Sequence, residues 1–165
     1  MHLRFCCRIY REQIKGGRYF VHEHPQTAAS WAVPCMRKMV EMPEVHVVNA
    51  HMCAFGMKSK DERGEGFAKK PTKFLTNSGE MARALNRQCP GDHRHVHLMA
   101  GRARAAAIYP KELCVTVCKA TMRQATVDAG NLACMKCVDK GDGDVMNVEF
   151  EEERWEKYWD DLTGK

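Results

Sequence analysis

No run in this 165-residue chain approaches the ~18 consecutive apolar residues that a membrane-spanning helix requires. The opening stretch, Met1-His-Leu-Arg-Phe-Cys-Cys-Arg8, has no apolar region of the secretory-signal kind. The two absences predict an intracellular protein, of cytoplasm or nucleus, that is not secreted and has no membrane partner. A G-x-G-x-x-G fingerprint and a Walker loop are both missing, which excludes the usual glycine-rich cradles for dinucleotides and nucleoside triphosphates. Internal repeats and low-complexity tracts are absent too, and the length suits one domain. The chain does have 44% hydrophobic residues, enough for a core.

Nine cysteines, an odd number, are spread along the chain apart from Cys6-Cys7 and Cys134-x-x-Cys137. Without a signal segment, thiols in a reducing compartment are expected rather than a disulfide framework. The eleven methionines fill core gaps without strongly specifying shape. The net charge of +5 is unevenly divided: residues 1–138 carry 22 basic and 11 acidic side chains, and residues 139–165 carry four basic and ten acidic. A basic body with an acidic tail suggests contact with nucleic acid and a separate terminal segment. Because the bases are scattered and form no single stripe, a solvated surface is the simpler account of them.

Leu3 to Lys15 reads as a helix stopped by Gly16-Gly17. Arg18–Glu23 is a first strand, rich in strand formers and ended by Pro25, which cannot donate to a ladder. A helix follows from near Thr27 or Ser30 to about Glu41, with Trp31, Cys35, Met39 and Met42 on one stripe. Val45–Ala50 is a second strand, Lys58–Lys70 a surface loop and Pro71–Thr76 a third strand. Asn77 or Ser78 caps a helix from Gly79 to Gln88, Arg94–Leu98 forms a short strand, and another helix runs from Lys111 to about Val127. The alternation of strand and helix predicts an α/β fold: a small, mainly parallel, three- to four-stranded sheet flanked by helices. Residues 1–130 form this domain, 131–147 a linker, and 148–165 an appended acidic C-terminal helix bearing Phe150, Trp155, Trp159 and Leu162.

The stretch richest in chemistry is Cys89-x-x-x-His93-x-His95-x-His97. In extended chain, residues 93 and 95 share one face. With Cys89 a turn away and Cys53 at the end of the second strand, the set Cys53, Cys89, His93 and His95 has the ligand types of a zinc site, although the spacing matches no standard finger. Solvated histidines are the simpler alternative. Glu23 and His24 stand at the carboxyl end of the first strand, where open α/β sheets place their ligands. They are the candidate catalytic pair, an acid and a proton shuttle, against the plainer reading of a helix cap. Cys134-x-x-Cys137 has no second pair, Asp142-Gly-Asp144 lacks the acid spacing of a calcium loop, and Tyr158-Trp-Asp-Asp161 has no strand to make a polymerase hairpin.

Five blocks carry a family resemblance: Arg18–Pro25 with Ser30-Trp31, Met52–Met57, Lys70–Asn77, Cys89–His95 and Ile108–Cys114. On these, residues 18–114 resemble a domain of copia-type retroelement polyproteins of some unicellular eukaryotes. Tyr158–Lys165 resembles the lead-in to their reverse transcriptase module. The resemblance implies a retrotransposon fragment with adjoining polyprotein modules as partners. The same region is loosely similar to the second half of a cytosine methyltransferase-like Rossmann unit. Glu23-His24-Pro25 would match its base-holding Glu-Asn turn, with His in place of Asn. The nucleophile motif and cofactor half have no counterpart, since Pro34-Cys35 follows the Glu turn.

Three functions are therefore expected. The first is a non-catalytic or relict module of a retrotransposon polyprotein that binds nucleic acid weakly. The second is a fragment of a DNA methyltransferase-like enzyme, and the third a zinc-stabilised interaction module. No activity is expected of the chain alone, and zinc is the one cofactor suggested.

Overall fold

The computed structural model describes residues 2–98 and 106–139, with side chains through residue 131. The chain divides into residues 1–125 and residues 126–165. Of the second unit, only part of one helix lies within the described residues.

Helix α1 spans His2–Lys15 and strand β1 spans Val21–Pro25. A 3-10 turn at Ala29–Ala32 leads into α2, Pro34–Val40, which Pro34 opens at a position where no N–H is needed. Strand β2, His46–His51, ends in a second 3-10 turn, Met52–Phe55. A hairpin of β3, Lys58–Asp61, and β4, Gly64–Phe67, returns the chain to β5, Pro71–Thr76. Helix α3 is Gly79–Leu85, and α4 runs from Lys111 to Asp139, well past the end expected near Val127. Among the described residues no helix is long and apolar enough to cross a membrane. The expected helix at 148–165 lies outside the described residues.

The mainly parallel sheet is overturned. The three expected strands do share one sheet, but in the order β1-β5-β2 with both pairings antiparallel. The cause lies in the connection between β2 and β5. Parallel neighbours need a crossover that carries the chain back along the sheet, usually a helix. Residues 52–70 supply a turn and the β3–β4 hairpin, which leaves and re-enters the sheet at the same end. Met52 N donates to Lys70 O at 3.2 Å, and His51 pairs with Pro71. The helical crossover between β1 and β2 does make those two strands run in one direction, but β5 lies between them. The stretch read as a surface loop is thus a second sheet, β3 paired with β4. The expected strand at 94–98 is reduced to one bridge, His95 to Phe67.

Alternation along the strands gives the sheet two apolar faces. Phe74, Val48 and Ala50 pack with Met81 and Leu85 of α3 and Leu113 and Ala120 of α4. On the opposite face Leu75 packs with Cys7, Phe20, Met36, Met39 and Val45 between α1 and α2. Each such Leu, Met or Phe contributes about 1.5–3 kcal/mol by leaving water. Ser78 caps α3 through Met81 N at 3.1 Å and donates to Gln124 Oε1 at 2.7 Å. Glu80 N also donates to Gln124 Oε1, which ties the start of α3 to α4 with polar groups fully partnered.

Candidate metal centre

Three segments meet beyond the end of β2. The first is the 3-10 turn carrying Cys53, which is 3% exposed. Gly56 ends the turn at φ 78°, a left-handed conformation that a side chain disfavours. The second is the loop after α3. Arg87 O accepts from His51 N at 3.0 Å, and Cys89 N donates to His51 Nδ1 at 3.0 Å, so the loop is tied to the end of β2 beside Cys53. Gly91, at φ 82°, completes the turn and points its N–H at Cys89 Sγ, 3.4 Å away. The third segment lies along β4, where Phe67 N donates to Arg94 O and Val96 N to Phe67 O. Its alternation sends His93 and His95 inward together. Arg94 turns outward to Asp61 Oδ2 at 2.7 Å and to the carbonyls of Gly64 and Glu65.

The result brings together all four ligands expected from the sequence. One donor atom from each of Cys53, Cys89, His93 and His95 lies within 4.8 Å of every other. Cys89 Sγ is 3.5 Å from His93 Nε2 and 3.3 Å from His95 Nε2. A tetrahedron with bonds of about 2.0–2.3 Å spaces its donors by about 3.3–3.8 Å, so the widest gap closes by roughly one ångström around an ion. The His93 ring lies against Phe67, centroids 4.2 Å apart, and meets His95 edge-on. A cleft of about 470 Å³ opens beside the cluster, lined by Cys53, His93, Asp92, Arg87 and Gln88 among others.

The titration behaviour follows from this enclosure. Burial pushes the Cys53 thiol up to about 11, and its hydrogen bond with Cys89 adds to the shift. Desolvation lowers His95, reinforced by His93, Lys69 and His97, and so favours the neutral imidazole that ligates metal. Desolvation, then Lys69 and His95, lowers His51 likewise.

Glu23 and His24 are not brought together. They are successive residues of β1 and point to opposite faces of the sheet. Glu23 Oε2 accepts from Tyr109 O–H at 2.7 Å. His24 lies opposite Lys73, near Trp31 and His22 on the other face. Cys134 and Cys137 fall on the α4 backbone, but their side chains lie outside the described residues, as do Asp142–Asp144 and Tyr158–Asp161 entirely.

Residue-type spacing did not single out Asp92, whose Oδ1 sits 2.8 Å from His93 Nδ1, nor His51, which receives the Cys89 amide. The adjacency of Asp92 to His93 was the available signal for the first. The second depends on β2 and the post-α3 loop meeting in space. Comparison with known protein families, curated proteins and solved structures finds no match to this chain, so nothing there bears on a retroelement or methyltransferase origin.

Proposed function

We propose that Cys53, Cys89, His93 and His95 hold a structural zinc ion, and that the chain is a zinc-stabilised, non-catalytic interaction module. The observation that carries this reading is the convergence of four sulfur and nitrogen donors from three separate segments. Two thiolates and two imidazoles are a zinc donor set, and four protein ligands leave no open position for a substrate. Binding replaces two thiol protons with one ion, which offsets the burial of Cys53 and couples metal uptake to folding. The staple then joins the end of β2, the loop after α3 and the segment along β4. The methyltransferase alternative is less favoured, since a Rossmann unit is built on an open parallel sheet and the three-stranded sheet here is antiparallel.

The test is metal analysis of protein stripped with a chelator, repurified and offered zinc. About one equivalent regained, with a raised melting temperature, supports the proposal. Unchanged melting with no zinc retained would leave solvated histidines.

A second reading concerns the partner. The excess of basic side chains in residues 1–138 favours weak contact with nucleic acid, independent of sequence. Affinity should fall steeply with salt, because phosphate contacts release counterions. Absence of binding at low salt, with the acidic residues 139–165 removed, refutes it. A place within a retrotransposon polyprotein, with adjoining modules as partners, rests on the resemblance of residues 18–114. Polymerase motifs downstream in the extended reading frame would support it.

A further inference from the structure

The opposite face of the main sheet holds a second group of soft donors. Helix α1 contributes Cys7 and α2 contributes Cys35 and Met36. Cys7 Sγ lies 3.3 Å from Met36 Sδ, and Cys35 packs against the same cluster. Cys7 and Met36 are fully buried, whereas Cys35 is half-buried, so the group has one side toward solvent. At its rim, one helical turn before Tyr10, Cys6 Sγ stands 3.6 Å from His2 Nε2. No carboxylate or imidazole completes the inner trio: among the described residues, only the Cys53 cluster gathers three or more histidine, cysteine or carboxylate donors.

We propose that Cys7, Cys35 and Met36 form a binding site for a soft monovalent ion of the Cu(I) class, distinct from the zinc centre. Three sulfur donors, one of them a thioether, are the set that selects Cu(I), whereas zinc takes four ligands and prefers thiolate, imidazole or carboxylate. Metal–sulfur bonds of about 2.3 Å arranged trigonally put sulfurs about 4 Å apart, so the Cys7–Met36 pair must spread by less than one ångström. Methionine has the rotatable bonds to allow it. The two thiols give up their protons to solvent on binding, and copper keeps its oxidation state. The resulting single negative charge is offset by Arg11, whose positive charge acts on Cys7. The His2–Cys6 pair offers a first landing point at the solvent edge.

The probe is Cu(I) presented anaerobically as its bicinchoninate complex to the zinc-loaded full chain, with released zinc followed at the same time. The expected result is one Cu(I) withdrawn per chain with zinc retained. Cys35→Ser and Met36→Leu preserve shape while removing one donor each, and should weaken uptake by about tenfold or more. A Cys134→Ser/Cys137→Ser variant should bind as the parent does. The proposal is overturned if no copper is withdrawn, if both single variants bind as tightly as the parent, or if copper uptake releases zinc in equal amount. Loss of uptake in the Cys134→Ser/Cys137→Ser variant also overturns it, since the copper then sits elsewhere. Because zinc retention is read separately, failure here leaves the zinc reading standing or falling on its own result.

Discussion

Asp92 Oδ1 lies 2.8 Å from His93 Nδ1, and the far nitrogen of that ring, Nε2, lies 3.5 Å from Cys89 Sγ. A carboxylate on one side of an imidazole fixes its proton on that side and leaves the other nitrogen with a free lone pair. This is the outer arrangement that metal-bound histidines use. On the zinc reading proposed above, Asp92 positions a ligand without being one. Asp92→Asn should lower zinc affinity by about 10–100-fold. Competition against a chromophoric chelator measures it, and far-UV circular dichroism of the zinc-saturated variant should match the parent. Equal affinities would show that Asp92 only solvates the ring.

The four-donor cluster was legible in the sequence and the sheet direction was not, for one reason in two forms. His93 and His95 owe their common face to extended-chain alternation, a local rule, and Cys89 is only four residues from His93. Cys53 was reachable because it closely follows the end of a strand. Strand direction depends on where a connection leaves and re-enters a sheet, and that connection was residues 52–70. Lys58-Ser-Lys60 and Gly64-Glu-Gly66 have almost no strand-forming side chains. Their pairing is held by the turn, where Asp61 Oδ1 accepts from Arg63 N, by the Lys58–Glu65 ion pair and by Arg94 from outside. Such support is invisible to propensity. The third strand, 71–76, was legible to the residue because the strand formers Thr72, Phe74 and Thr76 lie between Pro71 and the capping pair Asn77-Ser78.

The latch between α3 and α4 should be measurable. Ser78→Ala removes the acceptor for Met81 N and the donor to Gln124 Oε1, all buried. The expected loss is about 0.5–2 kcal/mol, that of a helix cap together with one of the two donors to Gln124 Oε1, which keeps Glu80 N. Adding Gln124→Leu removes that oxygen, so the double variant should lose less than the two single losses summed. Urea unfolding of the four proteins decides it, and strict additivity would mean the two residues do not share the bond.

Acid should destabilise the protein through its enclosed histidines. His22 is lowered from its usual 6.5 mainly by desolvation, with His24 adding to the shift and Glu23 opposing it. A base whose folded pKa is depressed holds its full stabilisation above 6.5 and loses it as pH falls through the folded value, because the unfolded chain takes the proton first. Stability should therefore fall from about pH 6.5 downward. His22→Phe keeps a ring beside Tyr10 and Trp31 and should flatten that limb, at the cost of the 2.9 Å Tyr10 contact. Denaturant midpoints at several pH values test the slope. A variant as acid-sensitive as its parent would shift the effect to His51 and His95, which desolvation also lowers.

If the four donors hold zinc as proposed, the β3–β4 hairpin should be the first part to open when the ion is withdrawn. Its four-residue strands pair with each other and otherwise only through Phe67 with His95, and all of their residues are half-buried or exposed. What fastens it is the segment at residues 94–96: two backbone bonds to Phe67, the Arg94 fork onto Asp61, Gly64 and Glu65, and the ring of His93 on Phe67. That segment is in turn fixed by its two imidazoles if they share an ion with Cys53 and Cys89. Removing the ion frees both histidines, and an exposed ion pair such as Arg94–Asp61 holds by only about 0.2–1 kcal/mol. The β1-β5-β2 sheet keeps its two apolar faces and has no such dependence. Amide hydrogen exchange with and without chelator should therefore show faster exchange at residues 58–67 and 94–96, with Leu75 and its neighbours unchanged. Uniform acceleration across both sheets would mean that the ion holds the whole fold, and no change at the hairpin would mean that the four donors do not bind it.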